Sequence, residues 1–545
     1  MSKNADENRV RNPFTRRERD FLLSLSKYTK EQNLLGGFQR KVLYDAGYYN
    51  SVFLNRLSKV NNVLSELEEH LSSSDAEYAS DIRDKGYRLF LQRTAEQGHP
   101  ESQYYLGDGL RYGLYGFDED DIQAITWFEK SAEGGNVDAM RALAGILLEG
   151  IIVDRNEARA LALLKSALKS GDYQAGHDLA VYFVEGEEKT KDIKKGLKYL
   201  RLAAREAVSD AQVMLGNLHY WGEHVSKSAK RAFGWYQKAA DQDHYYGMVC
   251  LGTLYEDGEG TEKDDVRAFE LYQTGSLGSA WGDFHIGRCK QFGIGCEVDH
   301  KGAFEAYEAA LEYGVDQAHL KLARCYISGE GVAQDYGKAK VHLDEAVEAD
   351  DTDPAAHFWL GRLKSEGLGC LEDKAAALGH FLKVVENDDS DVAAKREIGE
   401  AFYFGHGVET NYEEAVRWLK LAAEEQDARA LYVLGECHYS GDGVIENEIQ
   451  AVQLFKSAVE HGDEDAAARL IELGYDVPKK TASKENIHFL NNDLLATSRM
   501  LYQRMSNAGY DPLRELNENK TIDFQARRQS KVEALMAEVD VDGEN

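Results

Sequence analysis

Glycines recur through the middle of the chain with a nearly constant spacing of 35 to 38 residues. The ten recurring glycines are Gly113, Gly150, Gly186, Gly222, Gly258, Gly293, Gly329, Gly367, Gly405 and Gly441. Six residues before each of them stands a Gly or Ala, and this small residue directly follows a Leu or Ile. A fixed period of this length is typical of repeat proteins, in which each unit buries its apolar face against its neighbours.

Each recurring glycine is followed, six or seven residues later, by a residue that favours the start of a helix. Asp, Asn and Ser side chains accept hydrogen bonds from the free amides of a first helical turn, so each position predicts a second helix. These residues are Asp120, Asn156, Asp192, Ser228, Asp264, Asp299, Asp335, Asp373, Asn411 and Asn447. The segments that follow them, such as 415–426, have helical periodicity.

One unit is therefore a helix, a glycine loop, a second helix and a turn. The small residue ahead of each loop indicates that a partner helix approaches too closely for a larger side chain, because Gly inside a helix otherwise costs about 1 kcal/mol. The sequence predicts an all-α fold. We expect a right-handed α-solenoid, or superhelix, of stacked antiparallel helix pairs with capping helices at both ends.

Three segments show the unit most clearly: LGTLYEDGEGTEKDDVRAFELYQTG at 251–275, IGEAFYFGHGVETNYEEAVRWLKLAAEEQD at 398–427 and LGECHYSGDGVIENEIQAVQLFKSAVEHGD at 434–463. They resemble the Sel1-like repeat, a short relative of the tetratricopeptide repeat. The resemblance extends over about residues 81–478 and is weakest in the second to fourth units. It implies a scaffold or adaptor for protein partners, in signalling, in envelope or surface-polysaccharide assembly, or in host interaction.

The loops have the form Gly-x-Gly among acidic residues, a pattern that also occurs in calcium and phosphate sites. A calcium site needs oxygen ligands at fixed positions, yet the residue between the two glycines is Glu259, Leu368 or His406 in different units. The glycines also follow a helix, whereas a dinucleotide fingerprint follows a strand. We therefore predict no metal and no cofactor, and interpret Gly258 as a helix stop and Gly260 as part of a tight turn.

No motif in the sequence nominates a catalytic nucleophile, base or metal-ligand set, so no catalytic residue is predicted and the chain is not expected to be an enzyme. An enzyme or ligand-binding site assembled on the concave face from distant residues remains the alternative. The six cysteines are interpreted as free thiols in a reducing compartment. A Cys289–Cys296 disulfide or a redox role is the competing interpretation.

Aromatic residues recur in the second helices, and we interpret most of them as packing between repeats. Tyr and Trp are also the usual anchors of protein interfaces. Four further aromatic residues are candidate partner-binding residues on the concave face: Trp221, Tyr245, Tyr246 and Trp281. The formal net charge of −31 argues against nucleic-acid binding by the main body and favours a basic partner.

The N-terminal segment 1–41 is basic. Residues 13–32 predict an amphipathic helix that begins with a capping box of Thr15 and Glu18. Arg16, Arg17 and Arg19 are its candidate contacts to a membrane or an acidic partner. The competing expectation is that this helix packs on its own solenoid.

The remaining segments frame the solenoid. We predict a helical cap or short coiled coil at 42–80, with a heptad pattern over 53–71 that would support a homodimer, and the solenoid itself at 81–478. Residues 479–545 predict a linker, a closing helix at 485–509 and an acidic tail. The N-terminus has no apolar signal segment, so a cytoplasmic location is expected.

Overall fold

The computed structural model describes residues 9–11, 14–31, 51–53, 64, 73–187 and 189–478. The chain divides into two compact units, Met1–Ala211 and Gln212–Asn545. In the first unit, the short strands β1 (Arg9–Arg11) and β2 (Ser51–Phe53) pair antiparallel. The helices α1 (Arg16–Glu31) and α2 (Ser73–Glu96) precede the repeats.

Ten helix pairs follow, and each consists of an A helix before the glycine loop and a B helix after it. Repeats 1 to 3 are α3 (Pro100–Tyr112) with α4 (Asp121–Glu133), α5 (Val137–Glu149) with α6 (Glu157–Lys169), and α7 (Gln174–Val184) with α8 (Ile193–Arg205). Repeats 4 to 6 are α9 (Ser209–Trp221) with α10 (Ala229–Ala240), α11 (Tyr245–Asp257) with α12 (Asp265–Gly275), and α13 (Ala280–Phe292) with α14 (His300–Glu312).

Repeats 7 to 10 complete the series. They are α15 (Ala318–Ser328) with α16 (Tyr336–Ala349), α17 (Pro354–Glu366) with α18 (Lys374–Asn387), α19 (Val392–Phe404) with α20 (Tyr412–Glu424), and α21 (Ala428–Ser440) with α22 (Glu448–Glu460). The helix α23 (Glu464–Glu472) packs on α22. In every repeat the A helix packs on its own B helix, which confirms the predicted all-α solenoid.

The predicted N-cap residues all cap their B helices. Each side chain accepts a hydrogen bond from the backbone N–H three residues later, as Asp264 does from Arg267 at 3.0 Å. Several A helices are capped in the same way, by residues that the sequence analysis did not name. These are Asn136, Asp353, Asp391 and Asp427, and Asp463 caps α23 in the same way.

The first glycine of the loop ends the A helix in the left-handed conformation that the sequence predicts, as at Gly258 with φ of 67°. Gly186 is an exception. There α7 ends at Val184, its cap residue Glu185 has φ of −102°, and Gly186 is not among the glycines with positive φ. Gly186 therefore does not end its helix in the way that Gly258 does.

The second glycine of the loop also contacts the preceding repeat. Gly260 has φ of 78°, and a Cβ built on it would lie 2.6 Å from the carbonyl oxygen of Ala229, the first residue of the B helix in the preceding repeat. The same contact recurs in repeats 6 to 10, for example between Gly331 and the carbonyl oxygen of His300. These glycines let each loop lie directly on the backbone of its neighbour.

The small residue of each A helix lies under a side chain of the B helix, as the sequence predicts. It is Gly in seven repeats, and in six of these a Cβ there would lie 2.4 to 2.8 Å from an aromatic ring. These pairs are Gly107 and Phe128, Gly216 and Tyr236, Gly252 and Tyr272, Gly287 and Tyr307, Gly361 and Phe381, and Gly435 and Phe455. In repeat 9, a Cβ on Gly399 would lie 2.7 Å from the Cγ atom of Leu419 instead. Where the small residue is Ala, in repeats 2, 3 and 7, Leu occupies the ring position.

The N-terminal helix packs on its own chain. Thr15 and Glu18 form the predicted capping box, since the Thr15 N–H donates to Glu18 and the Glu18 N–H to the Thr15 hydroxyl. The Glu18 carboxylate pairs with Lys85 of α2 at 2.9 Å, and Leu22 and Leu25 are buried. These two apolar side chains are thus not available at the surface of the chain.

Other predictions for the ends meet the structure only in part. Phe53, the first position of the predicted heptad pattern, lies in β2, whereas Leu64 is helical and buried. The other heptad positions and the closing helix at 485–509 lie outside the described residues. All six cysteines, among them Cys289 and Cys296, are free thiols. The structure thus has no Cys289–Cys296 disulfide.

Candidate partner-binding surface

Two of the four candidate aromatic residues lie at equivalent ends of neighbouring A helices. Tyr245 is the first residue of α11, and Trp281 is the second residue of α13. Both rings are half-buried and pack against one hydrophobic cluster that includes Cys250 and Leu254. We call these two residues the α11–α13 patch.

The turn between α12 and α13 fixes the Tyr245 ring. A Cβ on Gly278 of this turn would lie 2.0 Å from the Cδ2 atom of Tyr245, so only a glycine permits the contact. Trp281 in turn meets Phe284 edge to face, with the ring centroids 5.7 Å apart. Both rings of the patch are therefore held in one orientation while part of each remains accessible.

The other two candidates do not join this patch. Trp221 is the last residue of α9, at the opposite end of an A helix, where its ring packs edge to face on Tyr220 at 4.5 Å. A helix of 13 residues is about 20 Å long, so Trp221 forms a separate contact point. Tyr246 is 5% exposed and belongs to the core, so the structure removes it from the candidates.

A buried polar network that the sequence analysis missed supports the patch. The Arg288 guanidinium donates to the Glu256 carboxylate at 2.5 Å, and the Tyr272 hydroxyl donates to the same carboxylate at 2.8 Å. The Tyr272 ring stacks on His285, with the centroids 4.6 Å apart. His285 and Arg288 follow Trp281 on the same helix at helical spacing, so the network anchors the helix that carries Trp281.

Burial dominates the electrostatics of this network. It lowers the pKa of His285 well below its usual value, and nearby Arg288 acts in the same direction. Burial also raises the pKa of Tyr272 well above its usual value, reinforced by the Glu256 carboxylate. The imidazole and the phenol are thus neutral, and the charge in the network is that of the Glu256–Arg288 pair.

Arginines bridge α19, α21 and α23 at the C-terminal end of the repeats. Arg396 of α19 pairs with Asp427 at 3.1 Å, and Arg429 of α21 pairs with Glu400 at 3.0 Å and with Asp465 at 2.6 Å. Arg469 of α23 pairs with Glu436 at 2.9 Å. We call this series the arginine ladder. Its acidic residues are paired within the chain, so at this end of the repeats they contribute less to the expected attraction of a basic partner.

The N-terminal basic candidates occupy the first turn of α1. Arg16 and Arg17 are exposed and Arg19 is half-buried. Among the described residues, no group of three or more His, Cys, Asp and Glu side chains is arranged to hold a metal ion. No helix in the described part of the chain has the length and apolar character needed to cross a membrane.

The fold defines the class of this protein as an α-solenoid of short helix pairs. A family model described as Sel1 repeat matches ten consecutive segments of the chain. They are residues 100–136, 137–172, 175–207, 209–244, 247–277, 283–312, 316–351, 354–389, 392–427 and 428–463. The chain therefore belongs to the Sel1 repeat family, as the sequence resemblance predicted.

Comparison with individual proteins supports the fold more than any particular role. A solved structure of a protective antigen from uropathogenic Escherichia coli, which displays an SLR fold, is 25% identical and covers 81% of this chain and 97% of its own, with a TM-score of 0.57. A Sel1 repeat protein from Oxalobacter formigenes is 25% identical over 61% of this chain and 93% of its own, with a TM-score of 0.38.

One curated relative matches over a short segment. Chitin synthase regulatory factor 1 of Schizosaccharomyces pombe (strain 972 / ATCC 24843) is 35% identical over 57 residues, which is 10% of this chain. The matched segment spans 12% of that relative's length.

Proposed function

We propose that this protein is a non-enzymatic scaffold or adaptor that binds a protein or peptide partner, with the α11–α13 patch as an anchor point. The observation that carries the proposal is the fixed, half-exposed pair of Tyr245 and Trp281 on neighbouring repeats. Aromatic residues held in place by their surroundings contribute most to protein interfaces because little side-chain entropy is lost on binding.

The chemistry of the partner follows from charge. With a net charge of −31, the chain favours a basic partner, and association should then weaken as salt rises. Since the arginine ladder compensates its own acidic residues, we place the electrostatic contribution outside α19–α23. The proposal includes a cytoplasmic location, where free thiols such as Cys289 stay reduced.

The partner proposed here could belong to the regulation of surface-polysaccharide synthesis. This pathway is supported only by the name of the matched Schizosaccharomyces pombe regulator, over 57 residues. Signalling, envelope assembly and host interaction are the other pathways within the proposal.

The test uses replacements taken from the chain itself. Tyr245 and Ala280 occupy the same position in their repeats, as do Trp281 and Gln317, so Tyr245→Ala and Trp281→Gln should keep the fold. We expect full-length protein to retain specific partners in an affinity pull-down and the double variant to lose them. The control is Trp235→Leu on a B helix, which copies Leu271. Equal retention by all three proteins would contradict the role of the patch.

Alternative functions inferred from the sequence remain predictions. Ligand binding or catalysis on the concave face is the first of these. Membrane recruitment through Arg16, Arg17 and Arg19 receives less support than packing, since Leu22 and Leu25 are buried. This alternative is tested by deleting residues 1–41 and measuring sedimentation with vesicles rich in anionic lipid. Homodimerisation through 53–71 is tested by light scattering.

A further inference from the structure

Two adjacent repeats each contain a pair of histidines in direct contact. In repeat 7, the Nδ1 atoms of His319 on α15 and His342 on α16 lie 2.9 Å apart. In repeat 8, the Nδ1 atoms of His357 on α17 and His380 on α18 lie 3.0 Å apart. The two pairs occupy the same positions of their repeats, 38 residues apart. We call them the histidine pairs.

Packing of the repeats does not require these histidines. The position of His319 is Gln103, Met140, Gly176, Gln212, Met248, Asp283, Lys395 or Leu431 in the other repeats. The position of His342 is Trp127, Leu163, Tyr199, Trp235, Leu271, Ala306, Trp418 or Leu454. Among the ten repeats, histidine stands at either position only in repeats 7 and 8, and there it stands at both.

We propose that each histidine pair is a binding site for a divalent transition-metal ion of the copper and nickel class, with one ion bound through the two Nδ1 atoms. Imidazole nitrogens bind such ions at about 2.0–2.1 Å, and two of them 2.9–3.0 Å apart then subtend an angle of about 90° at the ion. Square-planar and octahedral ions have this angle between adjacent ligands, whereas tetrahedral zinc requires a wider one. Water completes the coordination.

The surroundings orient the rings as those of metal ligands are oriented. The Nε2 atom of His357 lies 2.8 Å from the carbonyl oxygen of Asp351, so this nitrogen carries the proton and donates it, which leaves the lone pair on Nδ1 facing His380. In repeat 7, the ring of Tyr326 stacks on His342 with centroids 5.8 Å apart and an angle of 15° between the ring planes. The hydrogen bond and the ring stacking each hold one imidazole in a fixed orientation in the absence of an ion.

Protonation competes little with an ion at these sites. Burial lowers the pKa of His319, His342 and His380, the last to about 4, so that their imidazoles are neutral at pH 7. The proton on one Nδ1 atom of each pair moves through solvent to the Nε2 atom of the same ring when the ion binds, and no net proton is released. Among the described residues, the charged groups that act on the pairs are Asp316, Lys338, Asp344, Glu345, Asp351, Lys364 and Lys383.

The test is Cu²⁺ binding by the full-length chain without an affinity tag. Equilibrium dialysis against a competing chelator counts the ions, and electron paramagnetic resonance detects nitrogen ligands. His342→Leu and His380→Leu copy Leu271 and Leu454 of the same position, which favours retention of the fold, and His300→Ala is a control at an exposed, single histidine. We expect two ions in the wild type and in the control, one in each single variant and none in the double variant.

Thermal unfolding with and without Cu²⁺ provides the second readout, since an ion that ties α15 to α16 and α17 to α18 should raise Tm in the wild type and leave the double variant unchanged. Equal copper binding by the wild type and by a folded double variant would overturn the proposal. A wild type that binds no copper, but whose Tm falls on His342→Leu, would also overturn it and assign the pairs a purely structural hydrogen bond.

Discussion

The ring of Phe455 lies directly over the backbone of Gly435. A Cβ on Gly435 would be 2.6 Å from the Cε1 atom of the ring, which is closer than real Cβ contacts come. We therefore predict that Gly435→Ala lowers the free energy of unfolding by about 1–3 kcal/mol, because overpacking a buried contact shifts neighbouring side chains. Urea unfolding monitored by circular dichroism measures this loss.

A double-mutant cycle identifies the cause. Repeat 7 has Ala323 and Leu343 at the positions of Gly435 and Phe455. If the ring is responsible, Gly435→Ala should cost less in a Phe455→Leu background than in the wild type, giving a coupling energy of about 1 kcal/mol or more. Additive effects of the two substitutions would show that the strain comes from elsewhere.

The two glycines of one loop should respond unequally to the same substitution. Gly329 and Gly331 both have positive φ, 74° and 77°, so Ala carries a similar conformational cost at each. A Cβ on Gly329 would meet nothing closer than 3.5 Å, whereas one on Gly331 would collide with the carbonyl of His300. We predict that Gly331→Ala destabilises the protein by at least about 1 kcal/mol more than Gly329→Ala, measured by urea unfolding. Equal losses would contradict the contact between repeats.

The fold could be predicted from the sequence because its determinants are local and repeated ten times. A cap such as Asp264 and a helix stop such as Gly258 act within a few residues, and repetition makes them visible. The role of Gly260 could not be predicted in this way, since its contact lies on Ala229 in the preceding repeat. A signal for the ring contacts was nevertheless present, because Ala at the small position coincides with Leu at the ring position.

The candidate site was less predictable, because exposure depends on contacts between repeats. Tyr245 and Tyr246 are adjacent in sequence, yet one is half-buried and the other is in the core. Arg288 also meets Glu256 across 32 residues, a separation at which sequence periodicity alone does not show whether two side chains point toward each other.

His380 should make stability depend on pH. Burial and nearby cationic groups lower its folded-state pKa to about 4, whereas an unfolded histidine has a pKa of about 6.5. As pH falls from about 6.5 to about 4, the unfolded state therefore gains a proton that the folded state does not bind, and stability is lost over this window. Because the ring is partly exposed, we expect about 1 kcal/mol rather than the about 3 kcal/mol of the full shift.

The control for this pH dependence is His380→Leu, measured by urea unfolding at several pH values between 4 and 7. Carboxylates titrate in both proteins, so the difference between the two unfolding curves isolates the histidine. Replacing His380 should reduce the slope of the unfolding free energy against pH below pH 6.5. Parallel pH dependences in the two proteins would show that His380 is protonated equally well when folded and unfolded.

The Glu256–Arg288 pair should be the most sensitive ion pair tested. Its side chains are only 9% and 12% exposed, so Glu256→Ala leaves a buried guanidinium without its counter-ion and the Tyr272 hydroxyl without an acceptor. We predict a loss of about 3–5 kcal/mol in the free energy of unfolding. Arg429→Ala removes the ion pairs to Glu400 and Asp465, in which the arginine is 36% exposed, and should cost about 1 kcal/mol or less. Arg288 lies on the same helix as Trp281, so in Glu256→Ala the change in tryptophan fluorescence should also begin at lower urea concentration, which broadens the transition. An equal loss of unfolding free energy in Glu256→Ala and Arg429→Ala would contradict an anchoring role of the network.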